Sequence, residues 1–206
     1  MKLSETSSSH RSLASILYLF VCLTLCLAMI NIQPASAAIV IEYYVDNTND
    51  SKTNNSGCST EADTDECSLR AAIQLVNVAA GTSPYLIHVP AGTYNLPYPG
   101  TDDTNTLGDL DIGSGHNLTI DGAGIDVTII NGYGHFDRII NHQGEAELRL
   151  SDLTIQNGNL SVTGLGGGGG IRSLSTGELT LDNVRVTGNT VAGTTAADSG
   201  GGYLCD

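Results

Sequence analysis

Apolar residues recur in short alternating blocks along most of this chain, and from Ile140 onward the blocks repeat. Ile140, Leu148, Leu150, Leu153 and Ile155 are matched 31 residues later by Ile171, Leu179, Leu181, Val184 and Val186. The shared frame is L-x-L-x-x-[LV]-x-[IV]. Its alternation is strand-like, with Leu150, Leu153, Leu181 and Val184 inward and Thr154 and Arg185 outward. The central polar pairs, Ser151-Asp152 and Asp182-Asn183, are turn chemistry, so two short strands are expected to meet at a corner. One segment departs from this pattern. In CSLRAAIQLVN (67–77), Leu69, Ala72, Ile73 and Val76 form a helical stripe, with Arg70, Gln74 and Asn77 off it. Ser68 is the natural N-cap, and Gly81 is a stop signal.

Looser copies precede the clear repeat. NLTIDG (117–122) resembles DLTIQNG (152–158), and the glycines of GGGIRS recur in GGGYLC. Short strands and tight turns at a period near 30 residues predict a solenoid whose apolar residues stack in columns about 4.8 Å apart. An antiparallel sandwich is the alternative, but two-residue hairpin signals are missing. A solenoid exposes its interior at its ends, so the amphipathic helix is expected to lay Leu69, Ile73 and Val76 over the first turn; packing on the side of the domain is the other reading.

The N-terminus brings in the compartment. Lys2 and Arg11 precede an apolar run from about Leu13 to Ile30, followed by Ala35-Ser36-Ala37, which reads as a cleaved export signal over residues 1–37. An uncleaved anchor is the alternative, and no other segment could span a membrane. Of the five cysteines, Cys22 and Cys26 leave with the signal. Export to an oxidising compartment and closeness in sequence predict a Cys58–Cys67 disulfide, leaving Cys205 as a free thiol or as half of a pair completed downstream. A formal net charge of -14 argues against nucleic-acid binding, since no basic patch is available for phosphates.

CSLRAAI resembles the CSLREAI signature at the N-terminus of secreted bacterial right-handed parallel β-helix proteins. HVPAGTYNL (88–96), GDLDI (108–112), LTIDGAG (118–124), FDRII (136–140) and LSDLTIQNG (150–158) follow in the same order, so the resemblance covers about residue 40 to the end. Ala71 stands where the family's capping-box Glu would be, which weakens the cap by up to about 1 kcal/mol. The resemblance implies an all-β, right-handed parallel β-helix with an N-terminal amphipathic capping helix. The organisation expected is a signal at 1–37, a cap region at 38–81 with disulfide loop and helix, and β-helix coils over 82–206 that stop inside a repeat.

Candidate chemistry is sparse. TDDTNTLGDLDIG (101–113) gathers Asp102, Asp103, Asp109 and Asp111, hard oxygens of the kind calcium takes, although no EF-hand spacing is present; a solvated loop is the preferred reading. Asp46, Asp50, Asp63 and Asp65 flank the disulfide with less support. Parallel β-helix lyases use an Arg or Lys base beside calcium-binding carboxylates, and Asp137-Arg138 is the adjacent acid and base inside the repeat region that fits. A surface salt bridge is the preferred role for Arg138, and Arg149, Arg172 and Arg185 alternate with apolar neighbours and are expected to face solvent. His88, His116, His135 and His142 show no zinc spacing. GLGGGGGI (164–171) lacks a P-loop lysine and reads as a corner. The function expected is non-catalytic adhesion or contact with a polysaccharide or cell-surface ligand, secreted or at the cell surface. No cofactor is required, and calcium is the candidate if one binds. The alternative is a calcium-dependent, pectate-like polysaccharide lyase.

Overall fold

The structure is a computed structural model, and it describes residues 18, 38–50, 58–60, 67–132, 134, 136–161, 167–192 and 202–205. The chain divides into two units, Met1–Ala37 and Ala38–Asp206. The expected export signal at 1–37 lies outside the described residues except for Tyr18, as do Asp63, Asp65, His135 and residues 164–166 of the glycine run. Among the described residues no helix is long and apolar enough to cross a membrane.

The second unit begins with Ile41–Tyr44 (β1) and the helix Leu69–Val78 (α1), followed by Tyr85–Val89 (β2) and Gly92–Asn95 (β3). Leu110–Ile112 (β4), Leu118–Gly122 (β5) and Thr128–Asn131 (β6) come next, then Ile140–His142 (β7), Leu148–Gln156 (β8) and Asn159–Leu160 (β9). Ile171–Ser173 (β10), Leu179–Thr187 (β11), Thr190–Val191 (β12) and Tyr203–Cys205 (β13) complete it. Among the described residues every strand pairing is parallel.

The right-handed parallel β-helix expected from the sequence is corrected by this topology. Among the described residues the strands lie in three open parallel sheets of seven, four and two strands, and these do not form a closed solenoid. The seven-stranded sheet runs β1-β2-β5-β8-β6-β3, with β11 beside β8. The physical cause lies in β8, a single nine-residue strand where two short ones were expected. Its first half pairs with β5 (Leu118↔Leu148) and its second half with β6 (Ile130↔Ile155), so strands that would have stood in separate sheets are joined in one. Asp152 makes this continuity compatible with a change of direction, because its φ of 51° is left-handed. Asp and Asn tolerate that region better than other non-glycine residues, and Asn183 takes the same φ at the equivalent place in β11.

The sequence repeat appears as strand register. Leu148, Leu150, Leu153 and Ile155 pair with Leu179, Leu181, Val184 and Val186, and Ile140 with Ile171. Apolar columns result: Ile87, Ile120, Leu150 and Leu181 stack across four strands, as do Tyr85, Leu118, Leu148 and Leu179. All but the β11 members are almost completely buried. Helix α1 packs against β2 and β4 and buries Leu69, Ala72, Ile73 and Val76. Ser68 caps it, its Oγ accepting from Ala71 N at 3.2 Å. The helix ends at Val78, with Gly81 beyond it at a φ of 104°. The Cys58–Cys67 disulfide, with a Cα–Cα distance of 4.5 Å, sits just before the cap. Cys67 N donates to Asp46 Oδ1 at 2.6 Å, tying the helix start to the segment after β1.

Thr154, expected on an outward and tolerant face, is 3% exposed, because the segment after β5 folds over it and Ile125 O accepts its hydroxyl. Arg185 does face solvent, paired with Asp126 at 2.8 Å with both side chains exposed. Leu153→Asp is therefore expected to remove most of the fold's stability, at a cost above about 4 kcal/mol, by placing an unpaired charge in the column. Arg185→Ala should cost about 1 kcal/mol or less, since exposed pairs contribute little. Thermal melts of the two variants check the contrast; equal melting temperatures would show the column assignment to be wrong.

Candidate functional site

Two arrangements merit consideration as sites, one buried and one exposed. The buried one forms where the acidic stretch 101–113 closes over β4 and β7. Its scaffold is Arg70, on the first turn of α1 and 1% exposed. Arg70 forks onto Asp50, Nε to Oδ1 at 2.8 Å and Nη2 to Oδ2 at 3.0 Å, and donates to the carbonyls of Asp109 (2.7 Å) and Gly108 (2.8 Å). Asn105 Nδ2 donates to Arg70 O, and Asn77 Nδ2 to Asp111 O. The acidic stretch is thus lashed to the helix, and the expectation of a solvated loop is corrected for Asp109 and Asp111, each 2% exposed. Gly108 permits the close approach. Its φ is 61°, and a Cβ there would lie 2.2 Å from Gly100 O and 2.7 Å from Asp137 Oδ2.

The four aspartates divide between two environments. Asp102 is turned into its own loop, accepting from the backbone and hydroxyl groups of Thr104 and Thr106. Asp103 and Asp111 share donors: Asn141 Nδ2 and Gln143 Nε2 each reach Oδ1 of both, at 2.9 Å to Asp111 and 3.3 and 3.1 Å to Asp103. Asp109 joins Asp137 and Arg138 instead, with Arg138 Nε 3.4 Å from Asp109 Oδ2 and 3.7 Å from Asp137 Oδ1. Arg138 is 2% exposed, which corrects the expected surface salt bridge. Arg172, expected to face solvent, is half-buried in register with Asn141 and Asp111, close enough for its charge to bear on Arg138.

Electrostatics follow from this burial. Asp109 is held well above the usual carboxylate range, first by burial and then by the charges of Asp111 and Asp137, with Arg138 and Arg70 opposing. Burial likewise raises Asp137, and pushes Asp111 up to about 6 against hydrogen bonds from Asn105 and Asn141. Arg138 is lowered by burial and by Arg172. Chemically, the cluster can hold protons and brace three segments. It does not present a base to a polymer, because Arg138 is enclosed. Among the described residues no group of three or more His, Cys, Asp or Glu side chains is arranged to hold a metal ion.

The histidines are dispersed. His88 lies 2.8 Å from Glu42 Oε2 and stacks on Tyr44 at 4.4 Å, while His116 meets Tyr85 edge-on at 5.1 Å. His142 Nδ1 is 2.9 Å from Ser173 Oγ, and both residues are buried.

The exposed arrangement is a groove of about 420 Å³ crossing the starts of β2, β5, β8 and β11. Register places Leu86, Thr119, Arg149 and Thr180 side by side on the outward row, with Asn117, Glu147 and Glu178 before them. Asn117 and Glu147 hold each other, Nδ2 to Oε2 at 3.1 Å and Glu147 N to Oδ1 at 3.2 Å. Arg149 is exposed and pairs with Asp182. No family model, curated protein or solved structure matches the chain.

Arg70, Asn105, Asn141 and Gln143 are site residues that sequence reasoning missed. The one available signal was Arg70 itself, the charged residue kept within CSLRAAI. The groove residues were visible only as outward strand positions.

The buried aspartates fix a pH response. A carboxyl raised on folding contributes stability that is complete below its ordinary value of 3.8 and is lost as pH rises through the folded value, about 6 for Asp111. His142, lowered by burial, acts oppositely, its contribution being lost as pH falls below 6.5. Three aspartates outweigh one histidine, so the melting temperature should rise by a few degrees from pH 7.5 to pH 5, on the order of 1 kcal/mol. Asp111→Asn should flatten the profile. Melts by circular dichroism across that range decide it, and a profile that falls toward pH 5 would contradict the assignment.

Proposed function

We propose that this chain is an exported binding protein without catalytic activity, which contacts a polysaccharide through the outward row of its seven-stranded sheet. The observation that carries this reading is the groove across β2, β5, β8 and β11. There, the hydrogen-bonding side chains Thr119, Arg149 and Thr180 recur on β5, β8 and β11 at the strand spacing of about 4.8 Å, beside Leu86 of β2. A polymer with regularly spaced hydroxyl groups is complementary to such a row. Glu147 and Glu178 at its rim, with a chain charge of -14, favour a neutral or amino-sugar glycan over a polyuronate. Export is supported by the leader-like residues 1–37, the CSLRAAI resemblance to secreted bacterial proteins and the Cys58–Cys67 pairing.

Glycan-array binding by the exported chain, with and without calcium, tests the reading. Neutral or amino-sugar glycans should be retained, and Arg149→Ala with Glu147→Gln should weaken retention about tenfold or more while leaving the melting temperature within a few degrees. Retention unchanged in the double variant, or no glycan retained at all, would end the proposal.

The lyase alternative places its base at Arg138, and proton abstraction needs a base within about 2.6–3.2 Å of the substrate proton. Arg138 is enclosed by Asp109, Asp137 and the chain around Gly167. Polygalacturonate incubated with the chain and calcium should therefore yield no unsaturated-uronate absorbance. Calcium-dependent product that Arg138→Ala abolishes would reverse this.

A further inference from the structure

A pocket of about 490 Å³ lies where the turns after β6, β8 and β11 come together, with Phe136, Asn157, Asn159, Gly188 and Thr190 among its walls. Its lining carries no charged side chain, and Phe136 is 56% exposed. An asparagine ladder leads into it. Asn131 Nδ2 donates to Asn95 Oδ1 at 2.7 Å, and Asn157 Nδ2 donates to Asn131 Oδ1 at 2.8 Å. Both amides point the same way, so the ladder is polarised and its last acceptor is Asn157 Oδ1. The next rung is missing. Gly188 follows Thr187, the partner of Gln156, and so stands level with Asn157; its φ of 65° matches the 60° of Asn157. A Cβ at Gly188 would lie 3.1 Å from Asn157 Oδ1.

Among the described residues no donor meets Asn157 Oδ1. Asn159 is its complement. Its Oδ1 accepts from the Thr190 hydroxyl at 3.2 Å, which leaves Nδ2 as an open donor. A secondary amide offers one N–H and one C=O, the two groups that answer these atoms. The neutral lining disfavours a charged ligand, and Phe136 adds an apolar face for C–H groups beside the amide. An acetamido group on a pyranose ring has all of these features. We infer that the pocket is a subsite for an N-acetylhexosamine residue, whose acetamido group takes the place of the missing rung, its N–H donating to Asn157 Oδ1 and its C=O accepting from Asn159 Nδ2. The choice of a sugar over a peptide amide rests on the glycan-binding reading above; the site itself shares no residue with the groove.

The test is saturation-transfer NMR on the exported chain and on its groove variant, Arg149→Ala with Glu147→Gln. The probes are methyl N-acetyl-β-glucosaminide, methyl β-glucoside and N-acetylalanine methylamide. In the groove variant the N-acetylglucosaminide alone should give signals, strongest at the acetyl methyl and undiminished from the parent chain. Gly188→Asn supplies the missing rung in a backbone conformation that Asn157 shows asparagine to accept. It should keep the parent's melting temperature and weaken the probe about tenfold or more, and Phe136→Ala should do the same. Loss of all glycan retention on the array with these signals intact would end the groove reading and leave the subsite standing. The inference is overturned by no signal from the N-acetylglucosaminide, by its loss in the groove variant, by equal signals there from the glucoside or the methylamide, or by undiminished binding in either folded pocket variant.

Discussion

The pairing of β8 with its neighbours is the constraint from which the rest follows. Three strands, β5, β6 and β11, take their register from this one, and the apolar columns pass through Leu148, Leu150, Leu153 and Ile155. Parallel pairing demands that residues of like character recur in register, and the 31-residue offset between β8 and β11 meets this demand on both sides of the bend, where Asp152 and Asn183 take the same left-handed φ. Pairing stops at Ser151 and resumes at Leu153, and the two halves of β8 on either side of the bend belong to one sheet. The outward row that forms the groove follows from the register of the first half of β8 with β5 and β11.

The second constraint is the enclosed charge of Arg70. A guanidinium in the interior needs its donors satisfied, and here one side chain is met by a carboxylate fork from Asp50 and by two carbonyls of the acidic stretch. This fixes α1, the segment near the disulfide and residues 108–109 relative to one another. It also explains how an acidic stretch can be folded inward. Backbone carbonyls of the stretch accept from Arg70 and Asn77, its carboxylates meet Asn141, Gln143 and Arg138, and burial raises the proton affinity of Asp109.

Much of the local structure was legible in the sequence, because it is written in short-range periodicity. The stripe Leu69, Ala72, Ile73, Val76 marks α1, and alternation marks β8 and β11 with their inward residues. The sheet architecture was not legible. The turn-forming character of Ser-Asp leaves open whether two strand segments at a polar corner separate into two sheets or are joined in one, and the joining is seen only in the pairings of β8 with β5 and β6. The buried site was missed for a related reason. Alternation assigns Arg172 to an outward face, where Asn141 and Asp111 stand in register with it, but Asp103 and Asn105 fold over Asn141 and Asp111, and pattern along one strand carries no information about what lies over it. Thr154 is buried by the same effect.

The adjacent Asp137 and Arg138 show why residue type alone could not separate catalysis from support. An arginine beside carboxylates is the requirement for either role. As a base, it must shed its proton and meet a substrate; as a brace, it must keep its charge and be sealed from competing solvent. Burial at 2% together with Asp109 and Asp137 satisfies the second condition and obstructs the first, since a polymer would have to displace the loop that Arg70 holds down. The polar side chains that remain accessible, Asn117, Glu147, Arg149 and Thr180, are engaged with one another or with their neighbours across the strands and are therefore preorganised. Preorganisation of exposed hydrogen-bonding groups lowers the entropy lost on association without supplying a reactive centre, a property that suits binding better than chemistry.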